Sequence, residues 1–196
     1  EAILSAAASG VLTGERDFAE FGAVENGVSF GRSPDGTQAV VRLSTPTVGA
    51  GNSPVSVGPV VISEVMYHPP DPGPGVSPDD LEFVEVANTG AASADLWGDF
   101  GAFGLAPWRI TGGVDFDIPV GTSLGPGEHL VVVGFDPAAE PAKADTFRDI
   151  YRLDASVALY GPYSGKLNNF SDTVRLRKPD VPDPDGNICG SGQAGP

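Results

Sequence analysis

Residues 60–90 restrict the fold of this chain more than any other stretch. Two extended apolar runs, Val60-Val-Ile-Ser-Glu-Val-Met-Tyr67 and Leu81-Glu-Phe-Val-Glu-Val-Ala-Asn88, flank a connection that contains Pro69-Pro-Asp-Pro-Gly-Pro-Gly75. Each proline lacks a backbone donor and holds φ fixed, so the connection is a loop. The runs are rich in valine and bounded by turn residues, as strands are. Asn88-Thr-Gly90 closes the second run with a turn. Alternation places Ile62, Glu64 and Met66 on one face of the first strand, and Val61, Ser63, Val65 and Tyr67 on the other. In the second strand Glu82, Val84 and Val86 oppose Leu81, Phe83, Glu85 and Ala87.

The same punctuation governs the rest of the chain. Glycine (27) and proline (19) together reach about twice their average usage and stand between apolar runs without any repeat. Strands are expected at Val28–Phe30, Ala39–Leu43, Trp108–Thr111, Val114–Ile118, His129–Phe135, Val157–Tyr160 and Thr173–Arg177. The run from His129 is almost wholly apolar, which predicts a strand buried on both faces or in the sheet centre. Pro141–Leu153 is the one helix candidate, with Ala144, Phe147, Ile150 and Tyr151 on a stripe. Residues 1–22 read either as an extended segment or as a frayed helix end, and 180–196 as an irregular tail. Many short strands with regular turn signals make the fold class all-β, an antiparallel sandwich.

The net charge of −15 argues against nucleic acid as a partner. No apolar run approaches the length that spans a bilayer, which argues against membrane insertion. Between Arg42 and Arg109 there is no lysine or arginine, while Glu64, Asp71, Asp79, Asp80, Glu82, Glu85, Asp95 and Asp99 lie there. Glu64 and Glu85, with Asp79 and Asp80 nearby, have the chemistry of an oxygen-rich calcium site, of an acid–base pair, and of carboxylates that accept hydrogen bonds from loop backbone or point to water. No other cofactor is expected. Asp180, Asp183 and Asp185-Gly186 resemble part of a calcium loop, interrupted by Pro182 and lacking a closing glutamate. His68 and His129 have no partner at metal or triad spacing, and no nucleophile elbow or phosphate loop is present. No catalytic residue is assigned. Trp97, Phe100, Phe103 and Trp108 suit a sugar platform or, more simply, a sandwich core. Cys189 stands alone in the sequence, Asn169-Phe-Ser171 fits a glycosylation acceptor, and the first residues lack the features of a signal peptide.

Five segments, in order, resemble the successive strands of the lamin tail domain. They are Val61-Ile-Ser-Glu-Val-Met-Tyr-His-Pro69, Glu82-Phe-Val-Glu-Val-Ala-Asn-Thr-Gly90, Ala94-Asp-Leu96, Phe116-Asp-Ile-Pro-Val-Gly-Thr-Ser-Leu-Gly-Pro-Gly-Glu-His-Leu-Val-Val-Val133 and Asn169-Phe-Ser-Asp-Thr-Val-Arg-Leu176. The resemblance implies an immunoglobulin-like antiparallel β-sandwich with one short helix in an insertion. It extends to the bacterial versions found in large secreted or surface-anchored proteins, so an extracellular or cell-surface location is expected. Two departures stand out. The Phe135–Leu167 stretch is longer than in the minimal domain, and little follows Arg177 where a last strand is expected. Residues 27–52 resemble the closing segment of a preceding copy.

The expected organisation is therefore 1–52 as that closing segment or an N-terminal extension, 53–59 as a linker, and 60–196 as a sandwich short of its last strand. The missing pairing is either a matter of where the sequence stops or is supplied by strand addition from the N-terminal segment or another chain. The expected role is structural or adhesive, with neighbouring modules of the same or an identical chain as partners. A calcium-dependent glycan or surface-ligand module and an accessory domain of a secreted hydrolase are the alternatives.

Overall fold

The computed structural model describes residues 2–21, 27–37 and 39–179. The tail beyond 179, with Cys189 and the Asp180–Gly186 loop, lies outside them. The chain divides into two compact units, Glu1–Val57 and Gly58–Pro196.

In the first unit, β1 (Ala2–Ala8) and β2 (Val11–Ala19) form an antiparallel hairpin. Of the stretch read either way, residues 2–19 are therefore extended. Ser9 and Gly10 both have positive φ (52° and 81°), the backbone that a two-residue hairpin turn requires. A second hairpin joins β3 (Phe30–Arg32) to β4 (Val40–Arg42). Its first strand starts at Phe30 and not at Val28, and the Leu43 amide donates to Ser29 O at 2.9 Å just before it. Residues read as a linker are tied into this unit. Ser53 Oγ donates to Thr45 O at 2.8 Å and accepts from Thr45 N at 3.1 Å, and Leu43 bridges Val55.

The second unit contains β5 (Val60–Met66), β6 (Phe83–Asn88), β7 (Ala94–Asp95), β8 (Trp97–Asp99), β9 (Leu105–Pro107), β10 (Arg109–Gly112), β11 (Val114–Asp117), β12 (Ser123–Leu124), β13 (His129–Val133), α1 (Pro141–Tyr151), β14 (Ala158–Tyr160), β15 (Ser164–Gly165) and β16 (Val174–Arg177). One sheet has the order β14-β13-β6-β5 and the other β15-β11-β10-β16, with short ladders β12-β7 and β8-β9 beside them. Val84, Val86, Leu130 and Val132 of the first sheet meet Ile110 and Val114 of the second across one core, which Leu96, Trp108, Ile118 and Leu124 complete. This is the all-β, immunoglobulin-like sandwich that the sequence implies.

One pairing departs from an antiparallel plan. β13 and β14 run parallel, because the connection between them contains α1, and a crossover of that length is what parallel strands need. The helix starts at Pro141, where a missing N–H costs nothing, and stops at Arg152 in the left-handed conformation (φ 52°). Its Phe147, with Ala144 and Tyr151 beside it, packs on Leu81, Phe83, Val131 and Val133. That part of the sheet's outer face is thereby covered, and β13 from Leu130 to Val133 is buried on both faces as expected. Ile150, expected on the same stripe, is 45% exposed.

The strict alternation expected for β5 fails at one point. A bulge lies between Ile62 and Glu64, so Ile62 pairs with Val86 and Glu64 with Glu85, leaving Ser63 extra. Ile62 consequently joins Val65 against the core and does not share a face with Glu64 and Met66. One extra residue moves everything before it to the opposite face.

Candidate functional site

The acidic residues singled out in the sequence occupy two places. The first is the covered side of the sheet. The β5–β6 register sets Glu64 directly opposite Glu85. Glu85 Oε1 accepts from Ser63 Oγ at 2.6 Å, which the bulge makes possible, and lies 3.0 Å from His129 Nδ1 on β13. Two carboxylates in register can share a cation or repel one another. Here one of them already has a hydroxyl and an imidazole.

The second place is the 3-10 turn Pro78–Leu81, which lies just before β6. Asp79 Oδ2 accepts from Lys166 Nζ at 2.8 Å, and Asp80 Oδ1 lies 3.1 Å from Lys143 Nζ on α1. Lys143 also meets Glu140 Oε2 at 2.8 Å. Bonding to Glu140 and then to Asp80 raises the Lys143 ammonium above its ordinary pKa, and bonding to Asp79 does the same for Lys166. Glu64 and Glu85 thus come together, Asp79 and Asp80 are adjacent on a turn, and each aspartate has its own lysine. Among the described residues no group of three or more histidine, cysteine, aspartate or glutamate side chains is placed to hold a metal ion.

Sequence reasoning did not assign the most buried carboxylate. Glu82 is 3% exposed. It accepts from the Tyr163 hydroxyl at 3.3 Å and from the Leu167 backbone N–H. Burial, and then the charge of Asp79, push its pKa above the usual carboxylate range, while Lys166 and the two hydrogen bonds act the other way. Burial and the Glu82 charge likewise hold the Tyr163 phenol protonated well above its ordinary range. The signal was available, since Glu82 shares its face with the core residues Val84 and Val86. What the sequence hid was its partner, far along the chain.

Of the four aromatic residues considered for a platform, Trp108 is in the core, Trp97 and Phe100 are half-buried, and Phe103 is exposed on a short 3-10 turn. Asn88 is fully buried. Its amide donates to Ala92 O and Leu124 O, both at 2.8 Å, and its Oδ1 accepts the Gly90 amide at 2.9 Å. The turn read from Asn-Thr-Gly is therefore built around that side chain.

As far as the described residues go, the sandwich has one open side. Among the described residues β16 pairs with β10 alone, and β5 pairs with β6 alone. These two edge strands approach each other across the gap between the sheets. A groove of about 490 Å³ runs there, lined by Ile62, Val65, Tyr67, Leu167, Phe170 and Val174 among others. Ile62, Val65 and Val174 belong to the rim of the core and are only partly buried, while Phe170 is 98% exposed.

Comparison with curated proteins and with solved structures yields no match. The family model described as Lamin Tail Domain matches residues 53–189, well over half of the chain. That span takes in both sheets, the helix and the open side, and the five resembling segments all fall within it. On the agreement between that match and the immunoglobulin-like architecture, the chain belongs to the lamin tail domain family.

Proposed function

We propose that this chain is a non-catalytic structural and adhesive module of a secreted or surface-anchored bacterial protein, and that it spaces and links by packing against like modules. The observation that carries this reading is the open side of the sandwich. Two strand edges that are unpaired among the described residues, flanking half-exposed core residues, are what a neighbouring module covers, and they would otherwise be a liability. The polar groups fit the same reading, because Glu85, Asp79 and Asp80 already have internal partners. The extracellular location rests on the likeness of the five segments to bacterial versions of the domain. Sedimentation velocity of the chain over a range of concentrations tests the proposal. A mass that rises with concentration under reducing conditions supports it, and a constant monomer mass removes it.

The register of Glu64 against Glu85 favours a second reading, a calcium-dependent ligand module. Thermal melts with added calcium and with chelator separate the two. A calcium-dependent rise in melting temperature that Glu64→Gln abolishes would favour the second.

A further inference from the structure

Glu82 is the one acidic side chain buried among the described residues, and it lies beside an exposed ion pair. The Leu167 backbone N–H donates to its carboxyl group, so Lys166, one residue earlier, leaves the backbone next to that group. Lys166 Nζ nevertheless donates to Asp79 Oδ2, at 2.8 Å. The Glu82 backbone N–H donates to Asp79 O at 3.4 Å and closes the 3-10 turn, which places Asp79 and Glu82 on one corner. One lysine thus serves a corner that carries two carboxyl groups. The groups that face Glu82 are Asp79 of the turn and Lys166 and Tyr163 of the segment that follows β14, while Asp80, next on the turn, is taken by Lys143 of α1.

The two carboxyl groups differ in their access to water. The side chains of Asp79 and Lys166 are both 60% exposed, and a pair so placed is screened and gains little from contact. Glu82 has almost no contact with solvent, so a negative charge there is costly unless paired, and its attraction for a lysine is stronger. While Glu82 carries its proton it makes no such demand, and Lys166 stays on Asp79. Once Glu82 ionises, exchange of partners gives up an exposed contact and supplies a buried anion with a cation, and water takes over Asp79. Burial, and then the Asp79 charge, move this ionisation above the usual carboxylate range, and Lys166 acts the other way. Bonding to Asp79 keeps Lys166 an ammonium, and burial with the Glu82 charge keeps the Tyr163 phenol protonated, so neither changes charge in the same range. The lysine backbone is fixed, since Lys166 N donates to Gly113 O at 3.2 Å and Leu167 is in the core. Only the side chain has to move.

We propose that Lys166 is a proton-gated latch: with Glu82 neutral it ties the end of β15 to the Pro78–Leu81 turn through Asp79, and with Glu82 ionised it moves to Glu82 and releases Asp79. The device reads pH and reports it as an uncompensated carboxylate on an exposed turn.

NMR of the side-chain carboxyl carbons in the full 196-residue chain, across the acid and neutral range, tests it. The Asp79 resonance is expected to shift at the pH where the Glu82 resonance titrates, together with the methylene next to Lys166 Nζ. The Asp79 shift should vanish in Glu82→Gln, which cannot ionise, and in Lys166→Met, which keeps most of the stem without the ammonium. Lys166→Arg should retain it, which separates loss of charge from loss of packing, and its absence there counts against the exchange. An Asp79 shift that persists in Lys166→Met is the direct field of Glu82 and overturns the proposal. An Asp79 resonance indifferent to Glu82, or a Glu82 resonance that does not titrate in this range, overturns it as well.

Discussion

The hydroxyl of Tyr163, on the connection between β14 and β15, donates to the Oε2 of Glu82 at the foot of β6, 3.3 Å away. This bond ties the connection between the two sheets to the start of β6. Tyr163 N also donates to Val133 O at 3.0 Å, so the connection is held at two points.

The raised pKa of Glu82 makes stability depend on pH. In the unfolded chain Glu82 ionises as an ordinary glutamate. In the native state burial keeps its proton on to higher pH. Between those two values the native state binds more protons, so the free energy of unfolding falls as pH rises. The contribution is fully present below the ordinary value and gone above the raised one. Glu82→Gln should remove this part of the slope and, at neutral pH, raise the melting temperature by about 2–4 °C, the equivalent of ~1 kcal/mol in a chain of this size. Thermal melts of both proteins across the acid range check it. A variant that melts lower at neutral pH would mean that the buried charge is net stabilising.

Asn88 allows a sharper chemical test. Its amide group supplies two N–H donors to buried carbonyls of Ala92 and Leu124. Asn88→Asp preserves the shape and the acceptor for Gly90 but turns an oxygen towards carbonyl oxygens. The expected loss is about 3 kcal/mol or more, because buried acceptors lose their donors and a charge is buried without a partner. Asn88→Ala should cost less than Asn88→Asp, and urea denaturation of the pair decides.

Deletion of Ser63 should be tolerated. Without it Ile62 still pairs with Val86 and Glu64 with Glu85, and alternation becomes regular through the strand. The losses are the bulge and the 2.6 Å bond from Ser63 to Glu85, so the cost should stay near 1 kcal/mol. Deleting Val131 from β13, which has no bulge, would turn half of a strand buried on both faces inside out and should abolish folding. Circular dichroism and denaturant midpoints of the two deletions distinguish these outcomes.

Phe147 anchors α1 to the sheet. Its ring meets Phe83 edge-on at 5.8 Å and Phe135 at 6.3 Å. Phe147→Ala should cost about 3–5 kcal/mol. The lower denaturant midpoint should come with increased hydrogen exchange in Pro141–Tyr151. Unchanged helix protection would show that the helix holds its position without this contact.

The strands of the second unit were legible because its apolar runs are short, alternating and bounded by glycine and proline. The faces of β6 and β16 followed from period two alone. The β5 bulge did not, because an extra residue in a valine-rich strand leaves the alternation equally readable on either side of it. The parallel pair was hidden as well. Helix Pro141–Tyr151 was visible as a stripe, yet nothing local says that it returns the chain in the same direction. The β1–β2 hairpin was ambiguous because consecutive alanines favour a helix, and only the Ser9–Gly10 turn decides otherwise. At the candidate site, the opposition of Glu64 and Glu85 was legible from pairing neighbouring strands. The lysines that take Asp79 and Asp80, and the tyrosine on Glu82, come from beyond residue 140, a separation that no local pattern encodes.

The helix that roofs the β14-β13-β6-β5 sheet has a consequence for traffic around the molecule. An ordinary two-layer sandwich offers both broad surfaces to its surroundings, whereas here the broad surface outside this sheet already bears α1. Contacts with anything larger than a small solute are thereby steered to the rim and to the uncovered layer, which gives an otherwise repetitive building block a front and a back.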